Sequence, residues 1–521
     1  QRRPHPPLMA AAASTNIVPY EVRVYMQRSD HFGSFGSQPS TWRQRYLFSE
    51  SFWDGRAKSN ECRGPILFYT GNEGPIEGFW RGSGFITATL APRLGALLIY
   101  AEQRYYGPAD ARPPSGRAGE RYFYLSTEQV LADYATLLVD VKAQLNASTC
   151  PVVAVGGSYG GTLTTLFRLK YPHIVVGGLA ASAPVGYYDP QAWRERGVDE
   201  YTWFRTVQRV YAEARPRCYE DLVHAVSIAN KTVRGTRGPQ AVQSIFSLCY
   251  PPVDVEAWLF WLTEALESLP QINYPDQQGS VPPNPVNATC AVVGDAAVTG
   301  EETTLLAALA RVTGWYNGLV TGGCIAYAVN LQVGGGTPGD GPDNVSAWGY
   351  QSCTETLHPF SVPEGSWRAY SFNTSAMAAL CRSYYGVDPQ LGWLAKWSGG
   401  YGIASMKLAT NIIWSNGRRD PWHGGGFLRP EDALPGGAVF VMETTAHHQD
   451  LRMPSPADPA ELTSTRRAEE AIIRRWIIEA TQATVKANKA RDSDSMTPSR
   501  AQARGPDERI STPRTITRTL K

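Results

Sequence analysis

Gly156-Gly-Ser-Tyr-Gly160 matches G-x-S-x-G and stands between an apolar run, Val152-Val-Ala-Val155, and a helix-patterned segment over about 160–171. A serine hydroxyl is a weak nucleophile at neutral pH, and this setting is one that activates it. A sharp strand-to-helix turn lifts the Ser158 hydroxyl clear of a sheet, and glycines two residues to either side remove Cβ atoms that would block the turn. The amide of Tyr159 then points from a helix N-terminus toward the oxygen that gains negative charge when a carbonyl is attacked. A second donor is expected from the loop after an adjacent strand, where Gly71-Asn72-Glu73-Gly74 lies.

The serine needs a base, and the base an orienting acid; in this architecture the chain order is Ser, acid, His. The later histidines are His173, His224, His358, His423, His447 and His448. The run Asn411-Ile-Ile-Trp414 leads into Ser415-Asn-Gly-Arg-Arg-Asp420-Pro-Trp422, so Asp420 sits on a loop beyond a strand, where the acid belongs. The next run, Ala438-Val-Phe-Val-Met442, leads to Thr444-Thr-Ala-His447-His448. His423 is too close in sequence to Asp420 to come from a separate loop. Of the adjacent pair His447 is the expected base and His448 the alternative. A metal site at His447, His448 and Asp450 is disfavoured, because neighbouring histidines rarely point at one ion and no further ligand set is evident; no metal and no cofactor is expected.

These residues must be carried by a sheet. Glu21-Val-Arg-Val-Tyr-Met26 and Arg45-Tyr-Leu-Phe48 alternate like strands. The runs at 65–70, 96–100, 152–155 and 174–181 are unbroken and apolar, and alternate with helical patterns at 83–93, 126–145 and 160–171. That rhythm predicts an α/β protein with a parallel sheet covered on both faces. Ser126-Thr-Glu-Gln129 reads as a capping box. After about 186 the pattern changes to helices over 200–268 and 301–330, separated by Pro/Gly-rich loops at 269–290 and 333–343; the sheet rhythm returns at 411–414 and 438–442, with a helix at about 465–481. The expected organisation is a flexible tail at 1–17, a first part of the sheet domain at 18–186, a helical insertion at 187–404, the second part at 405–483 and a basic disordered tail at 484–521. Residues 486–521 carry nine basic and four acidic residues.

The composition bounds the function. Of 521 residues 43% are apolar and 18% charged, which allows a large core and excludes global disorder. A net charge of +2 gives no field that argues for nucleic acid. No apolar run reaches the roughly 18 residues of a membrane helix. Fifteen Trp and 26 Tyr point to aromatic-lined pockets or surfaces. The eight Cys are scattered, without zinc-finger spacing, and fit four disulfides. Cys62 and Cys150 each precede a parallel strand, so they can meet at one end of the sheet if those strands are neighbours. Asn146, Asn230, Asn287, Asn344 and Asn373 head N-x-[ST] sequons. Together these features indicate the secretory pathway, with a lysosomal, vacuolar or extracellular destination. Leu8 to Ala13 is too short for an intact signal peptide, so the chain reads as a trimmed mature form.

Six ordered motifs over about 20–480 resemble the serine peptidases of family S28: Gly156–Gly161, Gly71-Asn-Glu-Gly74, Glu102-Gln-Arg-Tyr-Tyr-Gly107, Tyr350-Gln-Ser-Cys-Thr-Glu355, Asn416-Gly-Arg-Arg-Asp-Pro-Trp422 and Ala446-His-His-Gln-Asp-Leu-Arg452. The resemblance implies an α/β-hydrolase fold with a helical, disulfide-containing cap (SKS-like) inserted between sheet strands. It implies a serine exopeptidase that cuts short peptides after proline, or a similar small residue, near one terminus. The family's serine, aspartate and histidine fall on Ser158, Asp420 and His447. Its cap disulfides map to Cys218–Cys290, Cys249–Cys324 and Cys353–Cys381, and a homodimer is plausible by the same resemblance. The chain departs from the pattern at Pro75 (usually Asp), at Gln103 (usually His), at His358, where the carboxypeptidase branch lines its proline pocket with Met, and at Gly349, where the dipeptidyl branch has Asp. The stretch 269–287 is closer to the dipeptidyl branch, so the terminus that is read stays open.

Three further residues have two readings each. Trp422 is either the wall of a proline-sized pocket or a core residue holding the acid loop. Glu73 either binds a substrate amine or caps a turn. Arg452 either steadies the histidine loop through a salt bridge or binds a carboxylate. The competing functions are an esterase or lipase on the same fold, which calls for an apolar lid, and a catalytically silent binding protein, which would not need an intact Ser, Asp and His.

Overall fold

A computed structural model describes residues 17–33, 40–53, 62, 64–116, 120–189, 193–317, 323–325, 346–398, 406 and 408–495. Eight strands form one sheet: β1 Glu21–Arg28, β2 Thr41–Ser49, β3 Ile66–Thr70, β4 Leu97–Ala101, β5 Val152–Gly157, β6 Gly177–Ala181, β7 Ile412–Gly417 and β8 Ala438–Met442, in the order β1-β2-β4-β3-β5-β6-β7-β8. From β4 to β8 all neighbours are parallel, while β1 and β2 pair antiparallel at one edge. The sheet is that of an α/β hydrolase.

The apolar runs are unbroken because both faces are covered. Ile66, Phe68, Val152 and Ala154 pack against the helices Thr127–Gln144 and Tyr159–Lys170. Their neighbours Leu67, Tyr69, Val153 and Val155 face Trp80, Phe85 and Ile86 and the C-terminal helix residues Ile473 and Trp476. Ser126 accepts the Gln129 amide, but the expected box is only half made: the Gln129 side chain donates instead to Asp30 and accepts the amide of His31.

Between β6 and β7 lie helices Thr202–Ala214, Cys218–Val233, Gly238–Ile245, Val255–Ser268, Pro285–Val298 and Glu302–Asn317, which bury a second core around Trp258, Leu262 and Leu309. Shorter helices follow at Ala347–Thr354, Thr374–Tyr385 and Trp393–Ser398. Disulfides join Cys62–Cys150, Cys218–Cys290, Cys249–Cys324 and Cys353–Cys381. The first lies where neighbouring strands β3 and β5 begin.

The C-terminal tail expected from 484 is corrected by the structure: the last helix runs Ala460–Ser495. No Gly or Pro interrupts the sequence between Pro459 and Pro498, and Ala, Arg, Lys and Glu favour continuation. The expected tail residues 1–16 and 496–521, the loop 333–343 and Asn344 lie outside the described residues. Of the other sequons, Asn146, Asn287 and Asn373 are exposed, and Asn230 is half-buried with its Oδ1 accepting from Arg234. Asn373 also caps its helix by accepting the Ala376 amide.

Candidate active site

The turn after β5 is built by clashes avoided. A Cβ on Gly156 would strike the carbonyl oxygen of Gly160, and one on Gly160 would meet Asn72 Oδ1 at 2.9 Å. The helix Tyr159–Lys170 can therefore start directly against β5 and the end of β3. Thr70 Oγ1 fastens this corner by donating to Gly160 O at 2.8 Å. Ser158 takes φ 59° and ψ −128°, a left-handed conformation that costs a non-glycine residue free energy and is held by its surroundings. Its amide donates to Ala181 O at 2.9 Å. Its side chain remains half-buried at the carboxyl edge of the sheet.

Tyr159 follows as the first residue of the helix, where the opening N–H groups have no intrahelical acceptor. Its buried ring is locked by Thr127 Oγ1 and by Gln351 Nε2, each 2.9 Å from its hydroxyl. Glu355 completes this network by accepting from Thr127 N and Oγ1. Gln103 donates to Gln351 Oε1 at 3.3 Å, so its neutral amide joins the same network. Asn72 is 1% exposed and lies against Gly160, which brings the 71–74 loop to the serine turn. Its Nδ2 donates to Glu73 Oε2 at 2.8 Å. Burial raises the Glu73 pKa, against the pull of its own amide, Asn72 and the nearby His447. Pro75 opens the helix Ile76–Gly82 without a side-chain cap; the Ile76 amide reaches Glu102 instead.

On the loop after β7, Asp420 is 0% exposed, with both oxygens engaged. Oδ1 accepts the Trp422 amide at 2.9 Å, and Oδ2 lies 2.7 Å from His447 Nδ1. An ionised carboxylate can only accept, so Nδ1 carries the proton and Nε2 is the basic nitrogen. Nε2 is buried and, among the described residues, has no hydrogen-bond partner, Ser158 included.

One backbone angle separates the adjacent histidines. His448 adopts φ 34°, which turns its ring onto Gly157 while His447 faces Asp420. Ser182 Oγ accepts the His448 amide at 2.8 Å, anchoring the histidine loop to the end of β6 beside the Ser158 anchor at Ala181. The His448 pKa is driven well down by burial, with help from His447 and Arg452, so this ring is neutral. Asp450 points away, accepting from Ser415 Oγ at 2.6 Å.

Several positioning groups carry no signal in the sequence. Gln271 O accepts the His447 amide at 3.2 Å, Tyr274 OH donates to His447 O at 3.0 Å, and Trp422 Nε1 donates to Gln271 Oε1 at 3.2 Å. The loop after helix Val255–Ser268 thus grips the histidine loop from the inserted segment. Arg452 lies 4.0 Å over the Tyr274 ring and donates to Gln278. It therefore braces this loop through an aromatic ring and an amide, and not through the salt bridge expected for it. Arg466 holds the other side, donating to the carbonyls of Gln449, Asp450 and Arg452.

A cluster of aromatic rings borders His447. Trp422 is 6.5 Å from the His447 ring, 5.6 Å from Phe360 and 6.1 Å from Tyr187, centroid to centroid. His358 lies inside this group, 5.2 Å from Trp422 and 5.2 Å from Phe360. The Trp422 amide caps Asp420, and its ring packs among the rings of Phe360, Tyr187 and His358.

Buried carboxyls with raised pKa values favour the folded state at acid pH and outnumber the histidines His358, His423 and His448, whose lowered pKa values act the other way. Glu102, Glu264 and Glu355 are each pushed up to about 7, chiefly by burial. Asp450 is also raised by burial, and Glu469 is held well above the usual range by burial and by the charge of Asp450. A carboxyl whose folded pKa exceeds its unfolded value, about 4.3, keeps its proton better when folded, so stability is lost as pH rises between those two values. The melting temperature is therefore expected to be higher at pH 5 than at pH 7.5. Glu469→Gln should raise it at pH 7.5 by about 2–4 °C and change it little at pH 5. Melting curves at the two pH values check this; an equal or higher wild-type value at pH 7.5 contradicts it.

Residues 27–469 match the family model described as Serine carboxypeptidase S28. Lysosomal Pro-X carboxypeptidase of Homo sapiens is 32% identical over 468 residues, covering 88% of this chain and 88% of that protein. The Mus musculus protein of that name is 31% identical over 472 residues, covering 88% and 90%. Prolyl carboxy peptidase like protein 5 of Caenorhabditis elegans is 32% identical over 440 residues, covering 80% and 84%. Matched over most of its length by this family and by relatives of similar size, the chain belongs to the S28 serine peptidases and is a serine-type hydrolase.

Proposed function

We propose that the protein is a serine exopeptidase of the Pro-X carboxypeptidase type, releasing the last residue of short peptides that carry proline, or a similarly compact residue, before it. The observation that carries this reading is the cluster of aromatic rings, Trp422, Phe360 and Tyr187, beside His447. Flat rings pack well on a pyrrolidine.

Ser158 attacks the carbonyl carbon and passes its proton to His447 Nε2. The Tyr159 amide and Asn72 receive the oxyanion, and Asp420 holds the imidazolium. The proton then goes to the departing amine as the C–N bond breaks, leaving an acyl-enzyme that water hydrolyses by the same route. The names of the similar proteins support reading the carboxyl end. So does Gly349, which supplies no carboxylate where the dipeptidyl branch places an Asp. The lysosomal location in those relatives' names and the acid-favouring carboxyls support an acidic compartment of the secretory pathway.

The test uses three peptides: a blocked Pro-Phe with a free carboxylate, its C-terminal amide, and a Lys-Pro reporter with a free amine. Release of Phe from the first, much faster than from its amide and without cleavage of the third, is expected. Cleavage of the Lys-Pro reporter alone assigns the dipeptidyl activity and overturns the carboxypeptidase reading.

A further inference from the structure

Asp450 and Glu469 are two buried acids with too few donors around them for two charges. Both are 0% exposed. Asp450 lies three residues after His447, in the short turn Gln449–Leu451 that ends the histidine loop. Its Oδ2 accepts from Ser415 Oγ on β7 at 2.6 Å. Among the described residues, its Oδ1 and both oxygens of Glu469 meet no N–H or hydroxyl donor. Glu469 stands on the helix Ala460–Ser495, one turn after Arg466, and its carboxyl lies within hydrogen-bond reach of the Asp450 carboxyl. Two carboxylates only accept, so a hydrogen bond between them needs a proton, and that proton is the donor the three oxygens lack. The surrounding charges agree. Arg466 faces the pair, but its guanidinium also serves the carbonyls of Gln449, Asp450 and Arg452 and is paired with Asp458. Tyr69 on β3 and Tyr274 on the loop that grips His447 face Asp450 from the other elements, and burial keeps both neutral. Arg452 lies over the Tyr274 ring and donates to Gln278.

We propose that Asp450 and Glu469 share a single proton, and that this proton positions His447 by fastening the histidine loop to β7 and to the last helix. Glu469 carries the proton and donates it to Asp450, which stays ionised and holds Ser415. Glu469 is thus a positioning residue, acting on the base through Asp450. The path is short: Ser415 belongs to the strand whose following loop carries Asp420, and Asp450 is bonded into the turn that follows His447 and His448. Loss of the proton leaves two like charges in contact in a buried place, opposite one guanidinium that Asp458 already pairs. Repulsion then drives Asp450 off Ser415, and the turn carries His447 away from Ser158. Burial and the charge of Asp450 hold the Glu469 proton on well above the usual carboxyl range, so the fastening is made in acid and is lost as pH rises through that raised value. The inference rests on His447 serving Ser158 and is independent of which peptide terminus is read.

The experiment follows the rate of fluorophosphonate labelling of the full chain from pH 5 to pH 9 in wild type, Glu469→Gln, Asp450→Asn and Glu355→Gln, with a melting curve at each pH. The wild-type rate should fall on the alkaline side by about tenfold per pH unit, as one proton is lost, while the chain is still folded. Glu469→Gln donates to Asp450 through an amide that does not titrate, so it should lose the fall and hold at pH 9 the rate it shows at pH 6. Asp450→Asn accepts from Ser415 and donates to an ionised Glu469, so it should lose the fall too. Glu355→Gln alters a buried carboxyl outside the pair, in the Tyr159 network, and should keep the fall. A fall that persists with the same midpoint in Glu469→Gln, or that vanishes only in Glu355→Gln, overturns the proposal. So does a wild-type rate that stays level to pH 9, or one that falls only where the chain unfolds. Absence of labelling in wild type at every pH is a different failure: it overturns the pairing of Ser158 with His447, and the inference with it.

Discussion

Ser158→Ala is expected to lower kcat/KM by roughly 10^6-fold and to leave the thermal unfolding midpoint within about a degree of wild type. The loss is large because base, acid and oxyanion donors act only through the oxygen that is removed. The midpoint holds because alanine meets the same backbone strain as serine at φ 59°, and because Ser158 Oγ is not among the side chains that bind the turn together. Those fastenings are Thr70 Oγ1 to Gly160 and the Ser158 amide to Ala181, and both survive the substitution. Ser158→Gly should be equally inactive but more stable than Ser158→Ala by about 1 kcal/mol, since glycine accepts positive φ without a Cβ clash. Steady-state kinetics and urea unfolding of the two variants check both statements. Residual activity within 100-fold of wild type in either variant places the nucleophile elsewhere.

Asp420→Asn is expected to cost about 10^4-fold in kcat with little change in stability. Asp420 Oδ2 meets His447 Nδ1 at 2.7 Å, which puts the imidazole proton on Nδ1 and leaves Nε2 basic. An asparagine can keep the acceptor for the Trp422 amide while turning its NH2 toward His447. That NH2 needs an acceptor, so Nδ1 gives up its proton and Nε2 carries it. The ring then has no lone pair for the serine proton. This outcome differs from a packing defect: fluorophosphonate labelling should slow in step with kcat, KM should hold, and the melting temperature should stay near wild type. A wild-type kcat in Asp420→Asn removes Asp420 from the mechanism.

Much of the framework is legible in the chain itself, because it depends on short-range patterns. Runs such as Ile66–Thr70 and Val152–Val155 are unbroken only if both faces of a strand are covered, and the glycines at 156 and 160 mark a turn where no Cβ fits. The layout that places Cys62 and Cys150 before two parallel strands is likewise local, given that β3 and β5 are neighbours. What stays illegible depends on contacts across hundreds of residues. Nothing in Leu269–Tyr274 says that Gln271 and Tyr274 will grip the backbone of His447, 173 residues after Tyr274. The facing of His447 and His448 turns on a single φ of 34°, which two identical side chains do not encode. The surroundings of His358 need helices from the insertion and the acid loop in one place. Arg452 offers a charge that suggests a salt bridge, while its surroundings offer a tyrosine ring. The final helix shows a different limit: the charge and composition of 484–495 suggest a tail, yet helix propensity carries the chain on to Ser495.

Among the described residues His447 Nε2 has no hydrogen-bond partner, so its bond to Ser158 is not made in this structure. Such bonds are often long or misaligned until substrate binds. The central claim is that Ser158 is the nucleophile that His447 serves. Its most direct measurement is the mass of the residue-158 peptide after the full chain reacts with a fluorophosphonate. The account predicts one adduct per chain, on Ser158, formed far more slowly in His447→Ala and absent in Ser158→Ala. An active preparation in which the adduct maps to another residue, or in which Ser158 stays unmodified while the peptidase activity is abolished, contradicts it.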